Sequence, residues 1–348
     1  MDPFRVAISG DFQKPDGSPA YPDFDLSPLD QHPNVEYAYV GARDGVIQAA
    51  DMAGFDALIL LVYRFARESF PGDDRLAMVA RFGVGYDNVD VDACNDNDVA
   101  LVITPDGVRR PVAVAIMTLM FALTGKLIVK DRLARSGPDG WAQRAGHMGV
   151  GVVGLTLGSV GIGNIGAEMF RLAKPFDMRF IAHDPYVDPK IAKELGVELV
   201  GLDDVFRQAD IVTVNCPLNE ETEHLVNAER LALMKPTAFL INTARGPIVD
   251  QAALTEVLAD KRIAGAGLDV FAEEPSSADD PLFKLDNVVV TPHSLCWTNQ
   301  CFGGIGAADV KAVLDLVEGR VPTGIVNREI TESAAWRAKL DGYRTRYG

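Results

Sequence analysis

The 348-residue chain is long for one domain and predicts two, since domains commonly have about 150 residues. Hydrophobic residues make up 48% of the chain and charged residues 24%, which excludes a disordered protein and allows a buried core. The net charge of −16 repels nucleic-acid phosphates and anionic lipids, so neither nucleic acid nor membrane is an expected partner.

Targeting and redox features favour a cytoplasmic location. The first residues, MDPFRVAISGDF, lack the basic region and apolar block of a signal peptide. The longest apolar stretch, residues 112–123, is shorter than the roughly 20 residues that a membrane-spanning helix needs. Four cysteines without CxxC spacing predict reduced thiols, and we expect no bound metal.

In the first third of the chain, short β-branched or aromatic runs alternate with helix-like segments such as residues 44–53. The predicted strands are residues 4–10, 35–41, 57–63 and 99–105. This alternation indicates βαβ units and a parallel sheet.

A second series begins near Leu155 with nearly continuous apolar runs, as expected for strands covered on both faces. The six predicted strands are the run LTLGSVG and residues 178–184, 211–217, 238–244, 263–270 and 287–293. Helical patterns at 167–176, 228–234 and 251–259 separate them, which predicts a doubly wound dinucleotide-binding domain. Two long helices, at about 112–134 and 307–318, flank this series, and residues 328–348 read as a polar tail.

The segment GIGNIG, residues 161–166, follows a predicted strand and begins a predicted helix. In that context Gly161 allows a tight turn, Gly163 lets a pyrophosphate approach the backbone, and Gly166 lets helix and strand pack closely. The helix N-terminus, at Asn164 and Ile165, offers free amides to the anion. A plain strand–helix turn is the alternative interpretation.

Asp184 ends the next predicted strand, 18 residues after Gly166, close to the spacing of about 20 at which an acidic residue binds the ribose hydroxyls of NAD. The same carboxylate would repel the 2′-phosphate of NADP. The alternative is a turn aspartate before Pro185.

Three polar residues follow the carboxyl ends of later strands, where open α/β sheets bind their ligands. Arg245 can hold a carboxylate through paired hydrogen bonds, and His293 can transfer a proton near neutral pH. Glu274 can orient the imidazole and favour its charged form. Each residue alone is weak evidence, whereas the ordered set after a nucleotide-binding motif is specific.

The chain resembles the D-isomer-specific 2-hydroxyacid dehydrogenases from about residue 80 to residue 319. The motifs that carry the resemblance are RFGVGYDNVDVDAC, CPLNEETEHLVN, LINTARGPIVD, GAGLDVFAEEP and TPH. The resemblance implies that Arg245 binds the substrate carboxylate and keto oxygen, that His293 is the acid/base and that Glu274 is its partner. It further implies a substrate-binding set of Tyr63, Arg64, Val84, Gly85, Arg245 and Trp297.

The cofactor implied is NAD. The residues expected to bind it are Gly161, Gly163, Asn164, Ile165, Gly166, Asp184, Pro217, Thr222, Thr243, Ala244, Asp269 and His293, of which Asp269 would contact the nicotinamide amide. The resemblance implies a Rossmann-type NAD domain, residues 109–298, inserted in a flavodoxin-like substrate domain, residues 1–108 and 299–348. A homodimer built on the NAD domains is also implied.

The expected reaction interconverts a small 2-keto acid and a D-2-hydroxy acid. Hydroxypyruvate or glyoxylate leads, with phosphohydroxypyruvate next, and Trp297 is expected to exclude bulky side chains. An NAD(H)-sensing protein similar to the C-terminal-binding corepressors is the alternative, because those proteins keep the same three polar residues. Formate oxidation is disfavoured, since that chemistry has an amide where Glu274 stands.

Overall fold

The computed structural model describes residues 2–348. Its strands are β1 (Phe4–Ser9), β2 (Val35–Val40), β3 (Ala57–Leu60), β4 (Met78–Arg81), β5 (Ala100–Ile103), β6 (Thr156–Val160), β7 (Arg179–His183), β8 (Glu198–Leu199), β9 (Ile211–Val214), β10 (Phe239–Asn242), β11 (Gly265–Leu268) and β12 (Val288–Val290). Its helices are α1 (Ser27–Asp30), α2 (Ala49–Met52), α3 (Val91–Asp96), α4 (Pro105–Thr124), α5 (Leu127–Arg135), α6 (Pro138–Gln143), α7 (Asn164–Ala173), α8 (Pro189–Leu195), α9 (Leu202–Gln208), α10 (Ala228–Leu233), α11 (Gln251–Ala259), α12 (Asn299–Val317) and α13 (Ala334–Tyr347).

The chain forms two compact units. Unit 1 runs up to Val108 and resumes at Trp297–Gly348, and unit 2 is Arg109–Cys296. The return to unit 1 lies two residues before the boundary expected from sequence. The reason is that Trp297 packs edge-on against Tyr21 and Phe302 of unit 1, at ring-centroid distances of 5.5 and 5.4 Å.

Unit 1 contains a five-stranded parallel sheet in the order β2-β1-β3-β4-β5, which is the flavodoxin-like order. Four of these strands were predicted from the sequence, and β4 was not. Its last residue, Arg81, is also the first residue of the RFGVGYDNVDVDAC motif. The predicted helix at 44–53 is reduced to the four residues of α2.

Unit 2 contains a seven-stranded parallel sheet in the order β12-β11-β10-β9-β6-β7-β8. Counted from β6, the first six strands have the order 3-2-1-4-5-6 of a dinucleotide-binding domain. Hydrophobic clusters cover both faces of this sheet, which explains the continuous apolar runs. The sequence analysis missed β8, because its two residues are both exposed and carry no apolar pattern.

Helix α4 differs from the predicted long helix at 112–134. It begins at Pro105 and ends at Thr124, after which Lys126 takes a left-handed conformation (φ 52°) and α5 starts in a new direction. The buried face of α4 packs on the unit 2 sheet, where a Cβ added to Gly267 of β11 would lie 3.0 Å from Leu119. A small residue in β11 therefore lets the helix approach the sheet closely.

By length and composition alone, α4 is also long and apolar enough to cross a membrane. From the sequence, its 12 most apolar residues were predicted to be too few to span a membrane. Just over half of its apolar window is buried inside the protein, which is what a core helix of a folded domain shows.

The predicted polar tail was wrong, because most of it folds as α13 on unit 1. Trp336 is fully buried and donates its indole N–H to the carbonyl oxygen of Ala77 at 2.9 Å. Tyr343 packs edge-on against Phe4 at 5.0 Å. The signal was present in the sequence, since the buried residues recur at helical spacing, namely Trp336, Leu340, Tyr343 and Tyr347.

A buried carboxyl in unit 1 makes stability depend on pH. Asp309 on α12 is fully buried, and neither carboxyl oxygen has a hydrogen-bond partner among the described residues. Burial raises the pKa of Asp309 well above its usual range, and the charge of Arg81 only partly offsets this. Because the folded-state pKa lies above the unfolded one, stability from this group is present at low pH and is lost as pH rises through the folded pKa.

We therefore expect Asp309→Asn to flatten the dependence of stability on pH. The melting temperature of the unmodified protein should fall more steeply between pH 4.5 and pH 8 than that of the variant, which thermal unfolding at several pH values measures. Asp92→Asn, at an exposed carboxylate of α3, is the control and should give a profile parallel to the unmodified protein. Parallel profiles for Asp309→Asn would contradict the assignment.

Candidate active site

The glycine loop between β6 and α7 has the geometry that a bound pyrophosphate requires. Gly161 has φ +94°, and a Cβ there would lie 2.8 Å from the carbonyl of Asn215. A Cβ on Gly166 would lie 2.7 Å from the carbonyl oxygen of Gly161. A Cβ on Gly163 would meet no atom within 4 Å, so this residue borders open space at the N-terminus of α7. That open cradle, beside the free amides at Asn164 and Ile165, fits a dinucleotide phosphate.

Hydrogen bonds from side chains hold this loop in place. Ser159 donates its hydroxyl to the carbonyl oxygen of Gly161 at 2.5 Å, and Asn215 donates an amide hydrogen to the Ser159 hydroxyl at 2.9 Å. Asp184 accepts the Ile162 amide at 2.9 Å through one carboxylate oxygen. Its other oxygen accepts the amides of Tyr186 and Val187. The half-buried Asp184 carboxylate is thus held beside the glycine loop.

The loop after β9 carries Pro217 and Thr222, two of the expected cofactor-binding residues. Thr222 donates its hydroxyl to the Pro217 carbonyl oxygen at 2.6 Å and so closes the loop on itself. Tyr186 reaches across from the loop after β7 and donates its phenol to Glu221 at 2.9 Å. The sequence analysis missed Tyr186 and Glu221, because a contact between loops of different strands leaves no mark in local sequence.

Arg245 lies in a tightly held turn at the end of β10. The Asn242 side chain accepts the Ala244 amide at 3.0 Å and donates to the Arg245 carbonyl oxygen at 2.9 Å. Arg245 also donates from its guanidinium to the Ala244 carbonyl oxygen at 2.8 Å. The buried hydroxyl of Thr243 has no hydrogen-bond partner among the described residues, so it is available to a ligand at this edge.

Gly246, directly after Arg245, packs against the loop that follows β11. A Cβ there would lie 1.7 Å from the carbonyl oxygen of Phe271, which no backbone can accommodate without moving. Phe271 also donates its amide to Glu274, so the Arg245 turn and the Glu274 loop are packed together at this glycine.

We therefore expect Gly246→Ala to destabilise the fold. Such overpacking commonly costs about 1–3 kcal/mol, which should lower the melting temperature by several degrees in thermal unfolding. Gly151→Ala is the matched control in unit 2, because a Cβ there would meet nothing within 4 Å. An unchanged melting temperature in Gly246→Ala would show that the two loops can move apart without a cost in stability.

Glu274 and His293 form a close pair. Nδ1 of His293 lies 2.6 Å from one carboxylate oxygen of Glu274, while the other accepts the Phe271 amide at 2.8 Å. Burial raises the pKa of Glu274, but the hydrogen bonds from His293 and Phe271 and the charge of Arg245 outweigh burial, and the net shift is downward. The glutamate is therefore ionised at neutral pH and fixes Nδ1 of the imidazole, which leaves the other ring nitrogen for a ligand.

Asp269 positions the loop that carries His293. It is 3% exposed, and its carboxylate accepts the Thr291 hydroxyl at 2.6 Å and the amides of Ser294 and Leu295. Burial raises the pKa of Asp269 despite these hydrogen bonds. His293 itself has a left-handed backbone (φ 50°), a conformation rare for a non-glycine residue and common at functional sites. The resemblance implies that Asp269 contacts the nicotinamide amide, which stays a prediction, and the carboxylate contacts within the protein are with this loop.

The expected substrate-binding residues of unit 1 follow the carboxyl ends of β3 and β4. Tyr63 is half-buried, and its backbone amide donates to Asp11 at 3.2 Å. Arg64 has an exposed side chain and pairs through its backbone with Gly45 and Ile47. Val84 and Gly85 are half-buried in the loop after β4, and Trp297 is 42% exposed beside the Tyr21 ring.

The Arg110 side chain of α4 is 57% exposed, and its guanidinium pairs at 3.0 Å with the buried carboxylate of Glu168 on α7. Glu168 also pairs with Arg171 at 3.1 Å. The ion pair of Arg110 with Glu168 therefore connects α4 to α7.

The strand order, the glycine cradle and the fixed carboxylate define unit 2 as a dinucleotide-binding domain. The sequence model described as "D-isomer specific 2-hydroxyacid dehydrogenase, NAD binding domain" matches residues 117–294. A glyoxylate reductase of Thermococcus onnurineus is 41% identical over 282 residues, which are 79% of this chain and 84% of that protein. The chain therefore belongs to the D-isomer specific 2-hydroxyacid dehydrogenase family.

Other relatives agree with this placement. A D-3-phosphoglycerate dehydrogenase of Methanocaldococcus jannaschii is 35% identical over 276 residues, 78% of this chain and 52% of that protein. The solved structure of a glyoxylate reductase from Paecilomyes thermophila matches with a TM-score of 0.82, at 24% identity, over 94% of this chain and 100% of that one, which supports the fold. The protein is an NAD-dependent enzyme that interconverts 2-keto acids and D-2-hydroxy acids.

Proposed function

We propose that this enzyme reduces glyoxylate or hydroxypyruvate to the corresponding D-2-hydroxy acid with NADH, with phosphohydroxypyruvate as the next candidate. The observation that carries the proposal is the 2.6 Å pairing of an ionised Glu274 with His293 on the same sheet edge as Arg245. A carboxylate-oriented imidazole is the arrangement that protonates a keto oxygen as it becomes a hydroxyl. The names of the relatives support a small 2-keto acid as substrate.

Each of the three polar residues has a distinct role in this proposal. Arg245 binds the substrate carboxylate and polarises the keto oxygen through charge-assisted hydrogen bonds. His293 donates the proton to the keto oxygen, and Glu274 orients its ring and stabilises its charged form. Bound NADH supplies the hydride to C2.

The cofactor would be held along the carboxyl edge of the unit 2 sheet. Glycines 161, 163 and 166 with the amides at Asn164 and Ile165 take the pyrophosphate, and Asp184 takes the ribose hydroxyls. The nicotinamide side is lined by Pro217, Thr222, Thr243 and Ala244, with Asp269 and His293 at its end. The unpartnered Thr243 hydroxyl supports this assignment, since a bound cofactor would satisfy it.

The experiment that tests the proposal is NADH oxidation with glyoxylate, hydroxypyruvate, phosphohydroxypyruvate, pyruvate, 2-ketoglutarate and phenylpyruvate, followed by chiral analysis of the product. The expected result is the highest kcat/KM with glyoxylate or hydroxypyruvate, and a D product wherever C2 is chiral. An L product, or a preference for phenylpyruvate, would overturn the proposal.

Asp184 should set the preference for NAD(H) over NADP(H), because its fixed carboxylate would repel a 2′-phosphate. In Asp184→Asn, the NADPH dissociation constant divided by the NADH dissociation constant is expected to fall by about tenfold. This change corresponds to roughly 1.4 kcal/mol of charge repulsion. Quenching of protein fluorescence measures both constants without turnover. Asp188→Asn, which removes an exposed helix-capping carboxylate nearby in sequence, is the control. An unchanged ratio in Asp184→Asn would place the discrimination elsewhere.

The proposal extends to a cytoplasmic homodimer without nucleic-acid or membrane partners. Large hydrophobic side chains are exposed along one stretch of unit 2, namely Val114, Phe121, Leu127, Ile128, Trp141, Met148, Val150 and Val153. Clustered exposed apolar residues are typical of a protein interface, and the net charge of −16 disfavours anionic partners. Light scattering with size-exclusion chromatography tests the dimer, and a monomer at micromolar concentration would contradict it.

A further inference from the structure

The carboxyl edge of the unit 1 sheet holds a fixed carboxylate that the sequence analysis did not assign. Asp11 follows β1, and one of its oxygens accepts the Ser9 hydroxyl at 2.6 Å. The other accepts the backbone amides of Val62 and Tyr63 at 2.8 and 3.2 Å. These hydrogen bonds hold the Asp11 carboxylate against the loop after β3, which contains Tyr63 and Arg64, two residues expected to bind the substrate.

The loops after β1, β3 and β4 form one interlocked edge. The Asn88 side-chain amide, from the segment after β4, donates to the Tyr63 carbonyl oxygen at 2.9 Å. The Phe82 backbone amide donates to the Leu60 carbonyl oxygen at 2.8 Å. Since β1, β3 and β4 are adjacent in the sheet, the end of β1 lies about 10 Å from the end of β4, or two strand spacings. Asp11 is therefore within reach of a small molecule whose carboxylate binds at Val84 and Gly85.

Two tyrosines lie on segments next to this carboxylate, since Tyr63 donates its backbone amide to Asp11 at 3.2 Å and the Tyr21 ring packs edge-on at 6.2 Å against Phe12, the residue after Asp11. Burial raises the pKa of Tyr21, and the negative charge of Asp11 raises it further. The same two causes, in the same order, raise the pKa of Tyr63. Both phenols therefore lie in the field of Asp11, one from the segment after β1 and one from the loop after β3.

An aromatic cluster surrounds the Tyr21 ring. Tyr21 stacks on Phe302 with ring centroids 4.2 Å apart, and Trp297 meets Tyr21 edge-on at 5.5 Å. Phe82, the residue that opens the loop after β4, packs on Phe302 at 5.3 Å. Packing against these rings therefore holds the Tyr21 side chain in place on the segment after β1.

From this arrangement we infer that Asp11 determines specificity for the part of the substrate beyond C2. It excludes 2-keto acids that carry a second negative charge, such as a phosphate or a second carboxylate, and the neighbouring phenols accept a substrate with hydrogen or a hydroxyl there. This inference rests on the proposed function and narrows it, since it places phosphohydroxypyruvate and oxaloacetate below glyoxylate and hydroxypyruvate.

Arg64, the residue directly after Tyr63, does not reverse this conclusion. Its side chain is exposed, so water and salt screen its charge, whereas Asp11 is held by three hydrogen bonds at the sheet edge. Replacing Arg64 by glutamine in the experiment below separates its contribution.

The experiment compares kcat/KM for hydroxypyruvate and glyoxylate with that for phosphohydroxypyruvate and oxaloacetate, in the unmodified enzyme and in Asp11→Asn. The asparagine keeps an acceptor for the Val62 and Tyr63 amides and removes the charge. The expected result is a rise of about tenfold in the kcat/KM of doubly charged substrates relative to singly charged ones, because the variant no longer repels the second negative charge. Asp16→Asn, at an exposed carboxylate five residues later, should leave the ratio unchanged.

A measurement on the unmodified enzyme guards against misfolding of the variant. Raising ionic strength should improve phosphohydroxypyruvate and oxaloacetate relative to hydroxypyruvate, because salt screens the repulsion. An unchanged ratio in Asp11→Asn with hydroxypyruvate turnover retained, or a preference of the unmodified enzyme for doubly charged substrates that Arg64→Gln abolishes, would overturn the inference alone. Absence of turnover with every 2-keto acid would instead overturn the proposed function.

Discussion

Replacing His293 by alanine is expected to lower kcat by about 10²- to 10⁴-fold with a much smaller change in KM. The physical reason is that proton transfer to the keto oxygen takes place in the transition state, whereas binding of the ground state depends chiefly on Arg245. Steady-state kinetics with glyoxylate or hydroxypyruvate measure both constants. NADH binding, followed by fluorescence, should change much less than kcat, because the glycine loop and Asp184 provide most of the proposed cofactor contacts.

The control for this variant is His32→Ala in unit 1. Nδ1 of His32 accepts the Asn34 amide in the turn between α1 and β2, so its loss removes a local hydrogen bond without touching the proposed site. It should retain nearly full kcat. A His293→Ala enzyme within threefold of the unmodified kcat would show that another group supplies the proton.

Arg245→Gln is expected to raise KM and lower kcat together. Loss of one partner of a desolvated, hydrogen-bonded charge pair commonly costs about 2–5 kcal/mol, which corresponds to a decrease in kcat/KM of roughly 30- to 4,000-fold. Both constants change because the guanidinium binds the substrate carboxylate in the ground state and the developing oxyanion in the transition state. Arg245→Lys should recover part of the loss, since a lysine keeps the charge without the paired geometry.

Arg262→Gln provides the matched control for charge removal. Arg262 follows α11 on the surface of unit 2, and its ion pair with Asp260, at 3.7 Å, is exposed. Exposed pairs contribute little, so kcat/KM should be unchanged. If Arg245→Gln also retained kcat/KM, the substrate carboxylate would have to bind elsewhere.

The sequence predicted the features that depend on local physical rules. A glycine loop between an apolar run and a helix predicted the phosphate cradle, and the structure gives Gly161, Gly163 and Gly166 the three environments that this motif requires. Helix α11 was predicted at residues 251–259, the bounds it has. Such features are readable because neighbouring residues alone determine turns, caps and periodicity.

Elements with weak local patterns were missed or misplaced. Strand β8 has two exposed residues and exists only because it pairs with β7. Helix α13 contains many charged residues, and its order depends on the packing of Trp336 and Tyr343 on unit 1. The break between α4 and α5 depends on one left-handed residue, Lys126, whose side chain gives no such signal.

For the candidate site, the residue types and their order along the chain came from sequence alone, and with the family resemblance they indicated both the cofactor and the reaction. Tertiary structure decided how those residues are held, through Asp269 under the His293 loop, Asn242 across the Arg245 turn and Gly246 against Phe271. It also places the Asp11 carboxylate in hydrogen-bond contact with Val62, which lies 51 residues later in the chain and next to Tyr63. The physical reason is that motifs are local, whereas the hydrogen bonds that position catalytic and specificity groups join loops from separate strands and exist only once the sheet has formed.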